Sequence, residues 1–150
     1  RPDAVVSFVG TAPPAAIADA ARTDPLVRAP GFVDDIRPYV DEAAVVIVPI
    51  RIGSGTRLKI LDAMAMGKAI VSTSVGCEGL AVTDGKDIAV ADTPLEFAER
   101  IEALLRDEAE RRSMEENARK RAETYDWRII NELQRSAYRA ALESAGKPAA

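Results

Sequence analysis

The chain has 150 residues, 47% of them hydrophobic, which suits one domain with a sizeable core. Its net charge of −4 argues against a nucleic-acid-binding surface, and the lack of histidine excludes His-based catalytic triads and His metal sites. The single cysteine, Cys77, excludes an internal disulfide and fits a reducing compartment, and the longest apolar run, of about eight residues, is far short of the roughly 20 that span a membrane.

The first 91 residues alternate short apolar runs with helical patterns. Five strands that alternate with helices predict a doubly wound parallel sheet, and the carboxyl ends of its strands should meet at one edge. Strands are predicted at residues 4–9, 27–33, 45–49, 68–72 and 87–91, and helices at residues 15–21, 36–41 and after residue 56.

Helices take over after residue 91. Thr93 and Glu96 have the spacing of a capping box, and Asp107 and Asp126 are the predicted caps of two further helices. The last helix carries an apolar face, and we expect its first aromatic residue, Trp127, to pack in the core. That face consists of Trp127, Ile130, Leu133, Ala137 and Ala141.

A glycine-interrupted turn, Gly53-Ser54-Gly55-Thr56, separates the third strand from the central helix. The glycines allow positive φ and close approach of another group, and Ser54 or Thr56 can cap the helix. At the carboxyl edge of the sheet, the loop amides and the helix dipole can hold an anion such as a phosphate. A tight turn without a ligand explains the glycines equally well. The pattern is neither a P-loop nor a GxGxxG fingerprint.

Three charged residues follow this turn. Arg57 and Lys59 lie where the helix dipole favours acids, which indicates an anionic ligand, although solvated surface cations fit the pattern too. Asp62 lies on a helix that we expect to be buried on most sides, where an unpaired carboxylate is costly. It accepts hydrogen bonds from ligand hydroxyls or forms a local pair with Lys59, and spacing alone slightly favours the pair.

Two further loops are predicted on the same rim of the sheet. In the first, residues 31–35, Asp34 or Asp35 is expected to cap the next helix, and Phe32 is expected to be buried. The second loop is marked by the glycines of residues 76–79.

Residues 49–80, PIRIGSGTRLKILDAMAMGKAIVSTSVGCEGL, resemble the donor-side signature of retaining GT-B glycosyltransferases, the group often called glycosyltransferase family 4. The preceding GFVDD, the strand before residue 91 and the YDW triplet before the last helix follow the order of that family. The resemblance covers roughly residues 4–145, and it is specific in the central stretch and weak at the flanks. It implies the Rossmann-like half of a GT-B fold, a nucleotide-diphosphate sugar as donor substrate, and no cofactor.

The resemblance also implies roles for single positions. In the family, the helix-opening amides near Thr56 hold the donor diphosphate, the acid at the position of Asp62 binds the ribose hydroxyls, and the backbone around Val33 borders the base. No catalytic residue is implied, and the helix dipole and basic side chains stabilise the departing diphosphate without a metal. The implied donor-binding residues are Val33, Gly53, Ser54, Gly55, Thr56, Arg57, Leu58, Lys59, Asp62 and Gly76.

The sequence departs from the family pattern in three ways. The family has two glutamates eight positions apart, where this chain has Ser54 and the shorter Asp62. The family's first strand, with its basic loop, and the N-terminal acceptor domain have no counterpart here. We therefore expect part of a larger enzyme: a partial donor domain at residues 1–145, its terminal helix at 126–145 and a frayed tail at 146–150. Its strands should close in the order 2-1-3-4-5, or a second copy should complete the sheet.

The function implied by the resemblance is transfer of a sugar from a nucleotide diphosphate to a glycan, lipid or other acceptor by a cytoplasmic enzyme. This chain alone is expected to bind the donor weakly and to be inactive. Peripheral membrane association of the larger enzyme and self-association of the chain stay open. The alternatives are a nucleotide-sugar epimerase or phosphorylase of the same fold, or a non-catalytic flavodoxin-like regulatory module. A receiver-type module would need acids where the strand ends carry Val5 and Pro49.

Overall fold

The computed structural model describes residues 3–53, 55 and 57–146 of the chain. Ser54, Thr56 and all but the first residue of the predicted tail lie outside this part. Strands and helices alternate along the described residues, and the chain ends in three helices. In chain order the elements are β1 (Val6–Val9), α1 (Ala15–Thr23), β2 (Val27–Gly31), α2 (Arg37–Glu42), β3 (Val45–Val48), α3 (Leu58–Ala65), β4 (Ala69–Ser72), α4 (Ser74–Cys77), β5 (Ala89–Val90), α5 (Pro94–Arg106), α6 (Glu108–Glu123) and α7 (Trp127–Ser144).

The strands form two parallel sheets rather than one. β1 pairs with β2, and separately β4 lies between β3 and β5. The predicted parallel α/β fold is confirmed, but the predicted closure into one 2-1-3-4-5 sheet is wrong, because β1 and β3 do not pair within the described residues. The physical reason lies in burial. β1 and β2 pair with each other across the short α1 connection, but no described side chain of β1, α1, β2 or α2 is buried, so these elements share no packed core with β3 that would hold β1 beside it.

The core surrounds β4, in which every residue is buried. Alternate side chains of a strand point to opposite faces, so Ile70 enters one apolar cluster while Ala69 and Val71 enter another. The first cluster contains residues of α3, the second contains residues of α5, and α6 contributes to both. The three-stranded sheet is therefore covered on both faces, as in doubly wound folds.

The segment after β2 is more exposed than its sequence predicts. Phe32 is 72% exposed, so the expected burial of this aromatic is wrong, because no described element covers the loop in which it lies. The predicted cap at Asp34 or Asp35 is wrong, because Ile36 occupies the N-cap position of α2 and no side chain makes the capping hydrogen bond. Asp35 instead accepts a hydrogen bond from the Arg37 amide at 2.9 Å, from the position before the cap.

The caps of the C-terminal helices are confirmed. Thr93 and Glu96 form the predicted capping box at the start of α5, and Asp107 accepts a backbone hydrogen bond at the start of α6. Asp126 caps α7 and also pairs with the Arg128 guanidinium at 2.8 Å, which lowers the pKa of Asp126 to about 2. These bonds satisfy helix N–H groups that lack acceptors within the helix itself.

The predicted core position of Trp127 is wrong. Its side chain is 75% exposed, and no side chain of α7 is buried. The helix has the expected apolar face, but no other described element covers that face, and periodicity alone cannot reveal this. None of the described helices is both long enough and apolar enough to cross a membrane.

Candidate functional site

Two hydroxyl side chains tie together the carboxyl ends of β3 and β4. The buried Ser72 hydroxyl donates to the Val48 carbonyl at 3.4 Å. The Thr73 hydroxyl donates to the Ile50 carbonyl and accepts from the Gly76 amide, the latter at 2.9 Å. These bonds fix the point where the chain leaves β3 and the point where α4 begins. Ligands of open α/β sheets bind outside this edge.

Helix α3 begins at the same edge without a side-chain cap. Arg57 occupies the N-cap position and makes no capping hydrogen bond, so the predicted caps, Ser54 and Thr56, precede the cap position. Within the described residues no acceptor binds the amides of Leu58 and Lys59. These amides carry the positive end of the helix dipole, so they are available to an anion.

A pocket of about 230 Å³ opens between the end of β3, the first turn of α3 and α4. Complete small-molecule sites usually enclose about 300–1,000 Å³, so this pocket suits one part of a larger ligand. Its lining consists of Val48, Ile50, Arg57, Leu58, Lys59, Ile60 and Gly76. Both charged residues of this lining are cations.

The Arg57 side chain is only 7% exposed. Its Nη2 contacts the Glu78 carboxylate at 3.3 Å and the Gly53 carbonyl at 3.4 Å. Both distances exceed the roughly 2.7–2.9 Å of a good charge-assisted hydrogen bond. Its Nε is buried and has no hydrogen-bond partner among the described residues.

Several guanidinium N–H groups of Arg57 have no acceptor among the described residues, so this side chain could bind an anion. A guanidinium carries five N–H donors, and the described residues engage Arg57 through Nη2 alone. Burying a cation without full compensation costs several kcal/mol. A phosphate group in the pocket would supply both the missing charge and the missing acceptors.

The other charged residues predicted for the site lie on the exposed side of α3. Lys59 lines the pocket with an exposed side chain. Asp62 lies one turn further along and is exposed, so the expectation that it is buried is wrong, because its face of α3 points to solvent. In the described part of the chain Asp62 makes no ion pair with Lys59.

Of the remaining predicted positions, some line the pocket and others do not. Val33 is half-buried in the loop that follows β2 and does not line the pocket. Gly55 has a φ of +100°, as predicted, whereas Gly53 does not adopt a positive φ. The structure therefore brings together four of the predicted residues around the pocket: Arg57, Leu58, Lys59 and Gly76.

Gly76 contributes to packing as well as to the pocket wall. A Cβ atom at this position would lie 2.3 Å from Ser72 Oγ and 3.0 Å from the Val48 carbonyl oxygen. The neighbouring Cys77 is buried, and burial raises the pKa of its thiol. A raised pKa disfavours the reactive thiolate form.

Two residues that shape the site, Thr73 and Glu78, are not among the sequence-based predictions. The role of Thr73 as a helix cap is predictable from the sequence, because threonine is a common N-cap residue. Its side chain caps α4. Glu78 meets Arg57 across 21 positions of the chain, and no local pattern joins the two.

At the carboxyl edge of the sheet, a parallel strand–loop–helix unit brings a buried arginine, a lysine and two helix amides without an acceptor among the described residues to one pocket. Residues 1–107 match the family described as glycosyl transferases group 1. The match covers more than half of the chain, and the chain belongs to this family.

The chain is similar to two curated relatives, of which one is a named glycosyltransferase. The chain is 29% identical over 129 residues to D-inositol 3-phosphate glycosyltransferase of Paenarthrobacter aurescens strain TC1, covering 84% of this chain and 31% of the relative. It is 34% identical over 68 residues to an uncharacterized 44.6 kDa protein in the cps region of Klebsiella pneumoniae, covering 45% of this chain and 18% of that protein. The chain thus spans less than a third of either relative.

Two solved structures share the fold. HepE from Anabaena, in complex with UDP, superimposes with a TM-score of 0.73 at 20% identity, covering 92% of this chain and 41% of its own. Sucrose-phosphate synthase from Thermosynechococcus elongatus superimposes with a TM-score of 0.72 at 22% identity, covering 92% and 38%. The Rossmann-like GT-B fold implied by the sequence is confirmed.

Proposed function

We propose that this chain binds the nucleotide-diphosphate-sugar donor of a glycosyltransferase that transfers the sugar to a glycan, lipid or other acceptor. The observation that carries the proposal is the buried Arg57 guanidinium, whose Nε lacks a partner among the described residues at the mouth of α3. A diphosphate supplies the charge and the several acceptor oxygens that this arrangement lacks.

Different residues of the site are assigned to different parts of the donor. The Arg57 guanidinium and the Leu58 and Lys59 amides face the diphosphate, and the Lys59 ammonium adds a second, solvated cation. Because the pocket holds only about 230 Å³, the base and the sugar extend beyond it. We assign the ribose hydroxyls to Asp62 and the base to the backbone near Val33, following the resemblance of residues 49–80 to the family signature.

The same groups would assist the reaction. Negative charge grows on the departing diphosphate as the sugar–oxygen bond breaks, and positive groups placed beside it stabilise that charge more than the ground state. We propose that Arg57, Lys59 and the α3 dipole do this without a metal ion. Retention of configuration at the sugar and a cytoplasmic location are parts of the proposal that rest on the sequence resemblance.

The acceptor site is assigned to another part of the polypeptide. The chain spans 31% of the glycosyltransferase relative and 41% of the HepE chain. We therefore propose that residues 1–150 contribute the donor half of the site and transfer no sugar by themselves.

Isothermal titration of the natural full-length protein with UDP, GDP and ADP tests this function. UDP comes first, because the HepE structure holds UDP. We expect binding of at least one nucleotide, and Arg57→Gln should weaken it about 10- to 100-fold, since a hydrogen bond to a charged group contributes about 1.5–3 kcal/mol.

Arg112→Gln is the matched control, because Arg112 pairs with Glu108 on the exposed face of α6 and lies outside the pocket lining. Its nucleotide affinity should equal that of the unaltered protein. No heat with any of the three nucleotides at millimolar concentration, or equal affinity in the Arg57 variant, would contradict the proposal.

A further inference from the structure

The acidic partner of Arg57 is a residue to which nothing above assigns a role. Glu78 follows α4 directly, and its backbone occupies the C-cap position of that helix. Its Oε2 lies 3.3 Å from Arg57 Nη2. The two ends of this ion pair differ sharply in environment, since the Glu78 side chain is 73% exposed and that of Arg57 is 7% exposed.

This difference in exposure determines which of the two side chains can move away from the ion pair. The Arg57 side chain is buried, whereas that of Glu78 lies mostly in solvent. An exposed carboxylate is already solvated on most of its surface, and pairs of this kind contribute little to stability because water replaces the partner readily. The long distance indicates the same weakness. Glu78 is therefore the mobile half of the pair.

We propose that Glu78 is a displaceable counter-ion that weakens nucleotide-diphosphate binding and so favours release of the diphosphate product. This inference rests on the proposed function and concerns the regulation of the same site. In the empty pocket the carboxylate partly compensates the Arg57 charge. An entering diphosphate competes for that cation, and the exposed Glu78 carboxylate repels it, although the surrounding water weakens this repulsion. Glu78 must then swing into solvent.

A positioning role for Glu78 makes the opposite prediction. If the carboxylate held the guanidinium in its binding orientation, its loss would loosen Arg57 and weaken nucleotide binding. The isosteric substitution Glu78→Gln separates the two roles, because it keeps the shape and a hydrogen-bonding oxygen while removing the charge.

The test is titration of the natural full-length protein with UDP and with uridine, which lacks phosphate. We expect Glu78→Gln to tighten UDP binding about 3- to 10-fold, the range set by loss of a partly exposed ion-pair partner. Uridine binding should not change. In an Arg57→Gln background, Glu78→Gln should alter UDP affinity by less than about two-fold, because the competing cation is gone.

Glu116→Gln is the control for net charge, since Glu116 is an exposed residue on α6 outside the pocket lining. UDP affinity that is unchanged or weaker in Glu78→Gln overturns the inference while leaving the proposed function intact. Absence of binding with UDP, GDP and ADP alike, in both the unaltered protein and the Glu78 variant, overturns both. Binding seen only in the Glu78 variant supports the counter-ion role in its strongest form.

Discussion

Residues 3–44 and residues 45–123 differ in how far their apolar side chains are buried. Both regions alternate parallel strands with helices. In the first region no side chain is buried, although three of the four residues of β1 are apolar. In the second region β4 is buried throughout, with apolar clusters on both of its faces. The same local pattern thus yields a packed core only where three layers come together.

The difference explains where the candidate site lies. The pocket is built on the carboxyl edge of the packed region, from the ends of β3, α3 and α4. Its orienting hydroxyls, Ser72 and Thr73, are themselves buried. A buried guanidinium such as Arg57 can be held in place only by a scaffold that does not relax around it. The loosely packed region contributes no residue to the pocket lining.

Ile70→Ala should have the largest effect on stability. Ile70 is fully buried in β4, and truncation of a core isoleucine costs about 2–5 kcal/mol because a cavity remains. We expect the free energy of unfolding, measured by urea denaturation, to fall by about 3–4 kcal/mol. Ile17→Ala makes the same change in half-buried α1 and should cost less than about 1 kcal/mol. Equal losses would show that the two regions are packed alike.

Asp87→Asn measures how much a buried ion pair contributes to stability in the packed region. Asp87 is 2% exposed, and its carboxylate accepts from the Thr83 amide at 2.6 Å and from Arg121 Nε at 3.0 Å. Breaking a fully buried pair costs about 3–5 kcal/mol, and the partial exposure of Arg121 lowers our expectation to about 2 kcal/mol. The measurement is again urea denaturation.

Asp35→Asn is the matched control in the loosely packed region. Arg37 pairs with Asp35 and holds the pKa of that carboxyl below its ordinary value, but both side chains are exposed. Water can replace the lost interaction, so no measurable change in the free energy of unfolding is expected. A loss as large as that of Asp87→Asn would contradict the contrast between the regions.

Arg57→Met should have a small effect on stability, with the opposite sign to that of Ile70→Ala and Asp87→Asn. Methionine keeps much of the apolar volume and removes a buried, undercompensated charge, so the ligand-free protein should become about 1 kcal/mol more stable. The rise in Tm that UDP gives the unaltered protein should disappear. Thermal unfolding with and without UDP measures both effects. A destabilised ligand-free variant would mean that Arg57 serves the fold rather than a ligand.

Much of the packed region can be predicted from the sequence, because its signals are local. Alternating apolar runs place β3 and β4 correctly, and the spacing of Thr93 and Glu96 predicts the capping box that begins α5. The predictions that fail concern Phe32, Trp127 and the pairing of β1 with β3. In each case the sequence shows an apolar surface but cannot show whether another element covers it.

The same distinction between local signals and tertiary packing applies to the candidate site. The position of Arg57 at the helix mouth follows from a glycine turn between a strand and a helix. Its burial and its contact with Glu78 depend on how α4 packs against the end of β3, which the hydroxyls of Ser72 and Thr73 determine. No spacing rule encodes that arrangement. The exposure of Asp62 is likewise a tertiary property, because it depends on which face of α3 the sheet covers.

The most direct test of the anion site is an NMR titration that follows the Arg57 Nε–Hε resonance while UDP is added to the full-length protein. We predict that this resonance moves and its proton exchange slows, together with shifts of the Leu58 and Lys59 amides, because all three donors gain phosphate oxygens as partners. If these resonances stay fixed while UDP binding shifts other parts of the protein, the pocket at α3 is not the diphosphate site.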